Sequence, residues 1–580
     1  MSNIYDKASL VLIPSGTKTS KVYSQKPVSG DGDFTFSRST AATRVNADGN
    51  IEKETQNLLL QSNTFDTTWG ATAGTMTGGQ ADKDGGTSAW KFEATGSGQS
   101  RFNQTISVSG VNTISMYAKA GTANFLCLYI IGSGDPRAFF NLSTGAVGST
   151  GSNIDANIED VGNGWYRCSL TFDRTSSTLW CFVSNTDGNF NSAIGDNIYI
   201  QDAQLEQGLV ARDYIETTTT AVEGGITDNV PRLDYQGSCP ALLLEPQRTN
   251  DIQQSEYIKS GVAGYTIVDA TITTNSTTSP EGLQNATLFE CIASNDGFYN
   301  FTTGSAKSVG DKITLSLFAK IKSGSSTNII KMGYGGVAVG GDRLSRFNIS
   351  TGTITYSHPD ADSVTIEDYG NGWYRLEQTQ TCTAAGSAGA VMYSDGAADF
   401  YIWGVQSEEG SYATSYIPTY GSAVTRNVDS CSKTGVSSLI GQTEGTFYWE
   451  GTLEENPSGA NMQFALSDGT TSQQIKFVVS SSSTYVAAEI KNGGVQQFYN
   501  NHNIDAKTNR KYAIAYKAND FAFYIDGTQI ATDTSGSVPA CTKISFDNGV
   551  AANNIHGVFN NVILLPTRLS NAELADLTTL

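Results

Sequence analysis

Carboxylates and aromatic rings are the side chains of this sequence best suited to chemistry. Three acidic pairs stand out: Glu159-Asp160, Glu367-Asp368 and Glu408-Glu409. Two carboxyls about 5–10 Å apart across a cleft can hydrolyse a glycosidic bond. The first two pairs, however, precede Asn-Gly turns, where an Asp side chain ordinarily bonds the turning backbone. The histidines, His358, His502 and His556, are scattered, and no HExxH stretch or Cys/His cluster accompanies them. Zinc chemistry, a GxSxG nucleophile elbow and a phosphate loop all lack their signatures. The expectation is a non-enzyme without a cofactor. Asp/Asn/Gly-rich loops would suit structural calcium, although no ligand set can be named. The ring candidates are Trp69, Trp180, Tyr334, Tyr393 and Trp403, which lie near loops or differ between related segments. An exposed ring can stack on a pyranose face while convergent polar groups hold the hydroxyls.

The elements that must position these groups come in duplicate. Residues 158–167 read IEDVGNGWYR and residues 366–375 read IEDYGNGWYR, 208 residues later. That spacing is the size of a domain, not of a solenoid repeat. TISMYAKAG (113–121) matches TLSLFAKIKSG (314–324), and FNLSTG (140–145) matches FNISTG (347–352). Residues 198–222 likewise match 400–424. Each copy is expected to begin near an apolar triplet, Leu58-Leu59-Leu60 or Leu242-Leu243-Leu244. Thr43-Arg44, Pro231-Arg232 and Thr425-Arg426 read as joints before successive domains.

Most segments alternate apolar and polar residues at period two between Gly-rich turns, the pattern of β-sandwiches. In GNGWYR an Asn-Gly turn sets the register and a ring fills the inter-sheet core. One helix is expected near the C-terminus, where Ser570 and Glu573 form a capping box and Leu574 and Leu577 would cover a sheet edge. The expected division is 1–56, an N-terminal docking segment; 57–225 and 226–428, two jelly-roll modules; and 429–580, a further sandwich.

Charged residues make up 16% of the chain, below the roughly 25% of ordinary globular proteins, which disfavours long helices with charged outer faces. The formal net charge of −20 repels phosphate backbones and anionic headgroups, so nucleic acid is not an expected partner. No apolar run is long enough for a membrane helix, and the first residues lack a signal-peptide core. Eight cysteines form no CxxC pair and do not recur between the copies, so free buried thiols and a reducing cytoplasm are expected.

IYDKASLVLIPSG (4–16) followed by GDFTFSRSTAATRVNADGNIE (32–52) resembles virion structural proteins of tailed bacteriophages, including appendage and fibre proteins. The paired FN(L/I)STG and GNGWYR blocks are similar to carbohydrate-binding-module-like jelly rolls in such proteins. EGTFYWEGTL (444–453), FYIDGTQI (523–530) and NNVILLPTRLSNAELADL (560–577) resemble a concanavalin-A/laminin-G-like sandwich. The resemblance implies an all-β chain of tandem jelly rolls plus that last sandwich, assembled in the host cytoplasm and located in the virion. It implies a tail fibre, head fibre or capsid decoration, docked on other virion proteins through its N-terminal segment. Host-surface glycan adhesion and a homo-oligomer are expected. A purely structural cement protein and a polysaccharide depolymerase are the alternatives.

Overall fold

The computed structural model describes residues 2–132, 134–235, 239–301 and 306–579. Antiparallel strands dominate, arranged as three two-sheet sandwiches. In the first, one sheet runs Asp155–Gly162, Trp165–Asp173, Val111–Ala120, Asn197–Gln207, Ala89–Ala94, Gly74–Gln80. The other runs Ala146–Thr150, Arg137–Asn141, Phe125–Ile130, Ser176–Ser184, Arg101–Val108, Gly70–Thr72. The second module repeats this plan between Tyr265 and Glu409. Period-two alternation drives Ile114, Met116 and Ala118 into one core, and Leu315, Leu317 and Ala319 into the other.

The repeated words interlock. Asn163 and Gly164 have φ +54° and +76°, and Asn371 and Gly372 +52° and +78°, the left-handed pair that a tight hairpin demands. The following strand sends Tyr166 and Tyr374 towards the inter-sheet cores. In the FN(L/I)STG turns, Asn141 Oδ1 accepts the amides of Ser143 and Thr144, and Asn348 Oδ1 those of Ser350 and Thr351. Gly145 and Gly352 close these turns at φ +67° and +64°. A Cβ on either would lie 2.6 Å from the ring of Tyr166 or Tyr374. Each repeated glycine is thus required by the repeated tyrosine as well as by its own backbone. Trp165 and Trp373 are buried as expected, but on the side opposite these tyrosines. Trp373 packs with Ile51, Phe318, Trp403 and Tyr416, and its indole donates to Thr278 O.

Two boundaries differ from expectation. Segment 1–56 is not set apart: Leu10–Leu12 pairs with Gly557–Leu565, and Phe34–Ser37 pairs with Ser430–Thr434. Leu10, Leu12, Val22, Phe34 and Phe36 belong to the core of the last sandwich. The Leu242-Leu243-Leu244 triplet also joins this sandwich, beside Gly557–Leu565, rather than opening the second module. The last sandwich is therefore assembled from three separate stretches of chain. The true counterparts near the start of each module are Asn57 and Asn250. Each is fully buried. Asn57 Nδ2 donates to Ala203 O and Ile215 O, and Asn250 Nδ2 to Val405 O and Ile417 O. Short ladders close the modules, Thr55–Asn57 on Val222–Gly224 and Arg248–Asn250 on Val424–Arg426.

Buried ions weld these parts. Asp429 binds Arg38 and Arg232, while Glu245 binds Arg232 and Arg426. Arg232 and Arg426, the arginines of two of the three expected joints, meet here; Arg44 of the other joint instead pairs with Glu52 near the surface. Burial alone would raise the Glu245 carboxyl, but Arg426 and Arg232 outweigh it and hold Glu245 well below the usual carboxylate range. A second network joins Lys53 to Glu256 (2.7 Å) and Glu281 (2.8 Å), and Arg212 to Glu281 (2.7 Å).

The terminal helix, Asn571–Thr578, has the expected capping box on Ser570. It covers the outer face of a sheet rather than its edge, with Leu574 against Tyr448, Ala513 and Tyr524. Seven cysteines are buried and Cys239 is exposed; all eight are free thiols.

His556, 4% exposed and with Nδ1 lacking a partner among the described residues, carries a pH prediction. Burial pushes its imidazole from the ordinary 6.5 to about 4. Between those pH values the unfolded chain binds the additional proton. Stability contributed here is therefore complete above about pH 6.5 and lost progressively as pH falls towards 4. His556→Gln should flatten that slope, narrowing the difference in urea midpoint between pH 7 and pH 4.5; an unchanged difference refutes the assignment.

Candidate functional site

The five candidate rings divide sharply by burial. Trp403 is fully buried among Phe318, Tyr416 and Trp373. Tyr334 lies in the second module's core, its hydroxyl 2.9 Å from Ser407 Oγ. Trp69 packs on Phe65 and Phe102 at 6% exposure, its indole donating to Gln61 O at 3.1 Å. None of these three can present a face to a ligand. The sequence could not separate them from surface rings, because neighbouring turn residues do not reveal which sheet face a side chain takes.

Trp180 and Tyr393 remain half-buried on outer sheet faces. They are not equivalents of each other. Phe182 lies opposite Cys127, which lies opposite Phe139; Tyr393 lies opposite Lys331, which lies opposite Arg346. Both rows are two residues inward from the repeated asparagine, Asn141 or Asn348, so Tyr393 corresponds to Phe182. Trp180 instead corresponds to Val391. The two modules therefore present different surfaces.

On the first module, Phe190 folds over Phe139 and Phe182, with ring centroids 5.3 and 4.8 Å away. Tyr129 and Trp180 flank this cluster and meet edge to face at 6.3 Å. The Arg101 guanidinium lies 4.2 Å from the Trp180 ring centroid. A half-buried indole thus sits beside a tyrosine ring and a cation, a combination that offers one stacking surface and a donor next to it. The corresponding face of the second module is more polar: Lys331 approaches Asp395 at 3.4 Å, and Arg346 approaches the same carboxylate.

The acidic pairs have structural partners. Asp160 and Asp368 accept the amides of Gly162 and Gly370 at 2.8 Å, locking the turns before GNGWYR. Glu408 is fully buried and accepts from Gln406 Nε2 and Thr414 N; its counterpart Glu206 accepts from Gln204 Nε2 and Arg212 N. Among the described residues, no group of three or more His, Cys, Asp or Glu side chains could hold a metal ion.

No protein-family model matches the chain, and no curated protein matches it. Solved structures similar to it include a sialidase-associated carbohydrate-binding module of Ruminococcus gnavus bound to α2,3-sialyllactose. It is 14% identical, with a TM-score of 0.22, and the match covers 25% of this chain and 91% of that one. A tandem carbohydrate-binding module from Paenibacillus barcinonensis Xyn10C is 11% identical at TM-score 0.21, covering 61% and 98%. Trypanosoma rangeli sialidase is 9% identical at TM-score 0.22, covering 93% and 97%.

Proposed function

We propose that this chain is a non-enzymatic structural protein of a phage virion, a tail fibre, head fibre or capsid decoration, that holds host-surface glycans. The glycan reading is carried by the half-buried Trp180 on an outer sheet face, with Tyr129 at its edge and Arg101 beside its ring. The virion context rests on the resemblance of the N-terminal and repeated segments. Stacking of a sugar on one indole contributes on the order of 1 kcal/mol, so useful adhesion requires many copies, as a homo-oligomer in a virion would supply. Trp180→Ala should lower retention of host-surface polysaccharide by about ten-fold, without a matching loss of thermal stability. Equal retention by the variant would defeat the Trp180 assignment.

The second reading is that of a purely structural cement between virion subunits. A glycan array decides between them, because absence of binding across host polysaccharides favours cement. Reducing-end release from host capsule would instead establish a depolymerase.

A further inference from the structure

A cavity of about 540 Å³ opens where segment 1–56 and the two modules meet, away from Trp180. Its wall takes Gln56 from the N-terminal strand, Ser109, Thr175 and Gln207 from the first module, and Gln253 and Gln254 from the second. We propose that this cavity binds a neutral, hydroxyl-rich ligand, a saccharide of about two rings. Its volume lies within the range of small-molecule sites. Amides and hydroxyls each donate and accept, which is what vicinal sugar hydroxyls require. Ile417 and Pro418 add an apolar strip for the C–H face of a ring.

Gln254 supplies an independent sign of a missing partner. It is 1% exposed, lines the cavity, and its Oε1 has no hydrogen-bond partner among the described residues. A buried amide oxygen left unpaired is unfavourable; it is closed off from the cavity as the side chain stands, and a ligand hydroxyl would satisfy it once the Gln254 side chain turns inward.

The charges select against anions. Both cationic side chains in the lining are already engaged, Lys53 by Glu256 and Glu281, and Arg426 by Glu245. Two carboxyls share the lining. Burial, with Glu223 and Asp228 nearby, pushes Glu54 up to about 7, and burial raises Asp173. Near neutrality Glu54 is thus partly protonated and can donate to a hydroxyl, whereas a bound anion would face two acidic groups without a free cation.

The test is calorimetric titration of the full chain with cellobiose, maltose and lactose, with glucuronate as the anionic control. At least one neutral disaccharide should bind and glucuronate should not. Gln254→Leu with Gln207→Ala should weaken binding about ten-fold or more, while Trp180→Ala leaves it unchanged. Gln253 makes no side-chain hydrogen bond among the described residues, so Gln253→Ala provides a second variant with less risk to folding. It should weaken binding in the same direction. The proposal is overturned if no neutral disaccharide binds at about 20 mM. It is equally overturned if glucuronate binds as tightly, or if the Gln253 variant and any folded form of the double variant bind like the parent. Loss of polysaccharide retention in Trp180→Ala with disaccharide binding intact separates this site from the outer-face site.

Discussion

A chain beginning at residue 38 should lose the last sandwich while retaining the first module. Its missing residues include Leu10, Leu12, Val22, Phe34 and Phe36, all buried in the core that residues 429–580 otherwise build with Leu242 and Leu244. At about 1.5–3 kcal/mol for each large apolar side chain, their removal costs on the order of 10 kcal/mol, comparable with the whole stability of a typical domain. It also strips strand partners from both sheets, leaving Gly557–Leu565 without Leu10–Leu12 and Ser430–Thr434 without Phe34–Ser37. Limited proteolysis read by mass spectrometry should show rapid cleavage within 429–580 and protection of 57–225. Equal protection of both regions would show that the N-terminal strands are dispensable. The same reasoning predicts that residues 429–580 expressed alone do not fold, because Ala241–Leu244 would be missing as well.

Asp429→Ala is expected to be the most damaging single substitution among the buried ions. Asp429 is fully buried at its side chain and receives both Arg38 and Arg232, themselves without side-chain exposure. It also accepts the backbone N–H of Glu245 at 2.8 Å. Removing it leaves two guanidinium groups short of a counter-charge, and breaking such a buried pair costs about 3–5 kcal/mol. The urea midpoint of the transition that exposes the last sandwich should fall accordingly. Asp429→Leu combined with Arg38→Met should recover part of the loss, since Arg232 keeps Glu245 and no guanidinium is then left without a carboxylate. A single variant as stable as the parent would mean that these ions contribute nothing net.

Much of the architecture was legible in the chain because its signals are local. Alternation at period two, the Asn-Gly turns and the Ser570 capping box each depend on residues a few positions apart, and each forms as its local chemistry dictates. Duplication exposed the scaffold of the two modules for the same reason: Tyr166 with Gly145, and Tyr374 with Gly352, are paired by shape within one fold.

Position in the sandwich was not local. Trp69, Tyr334 and Trp403 look like Trp180 by residue type, yet packing from distant strands buries the first three and leaves the last half-open. The cavity at the module junction combines glutamines from three parts of the chain, and no short motif records that meeting. The sequence by itself determined three sandwiches and the doubled framework of two of them, because strand periodicity and turn chemistry act over a few residues. Only the tertiary structure decided that the first 37 residues complete the last sandwich and that Trp180 stays accessible. Strand pairing and burial across hundreds of residues depend on which apolar faces meet, and that is settled only when the whole chain packs.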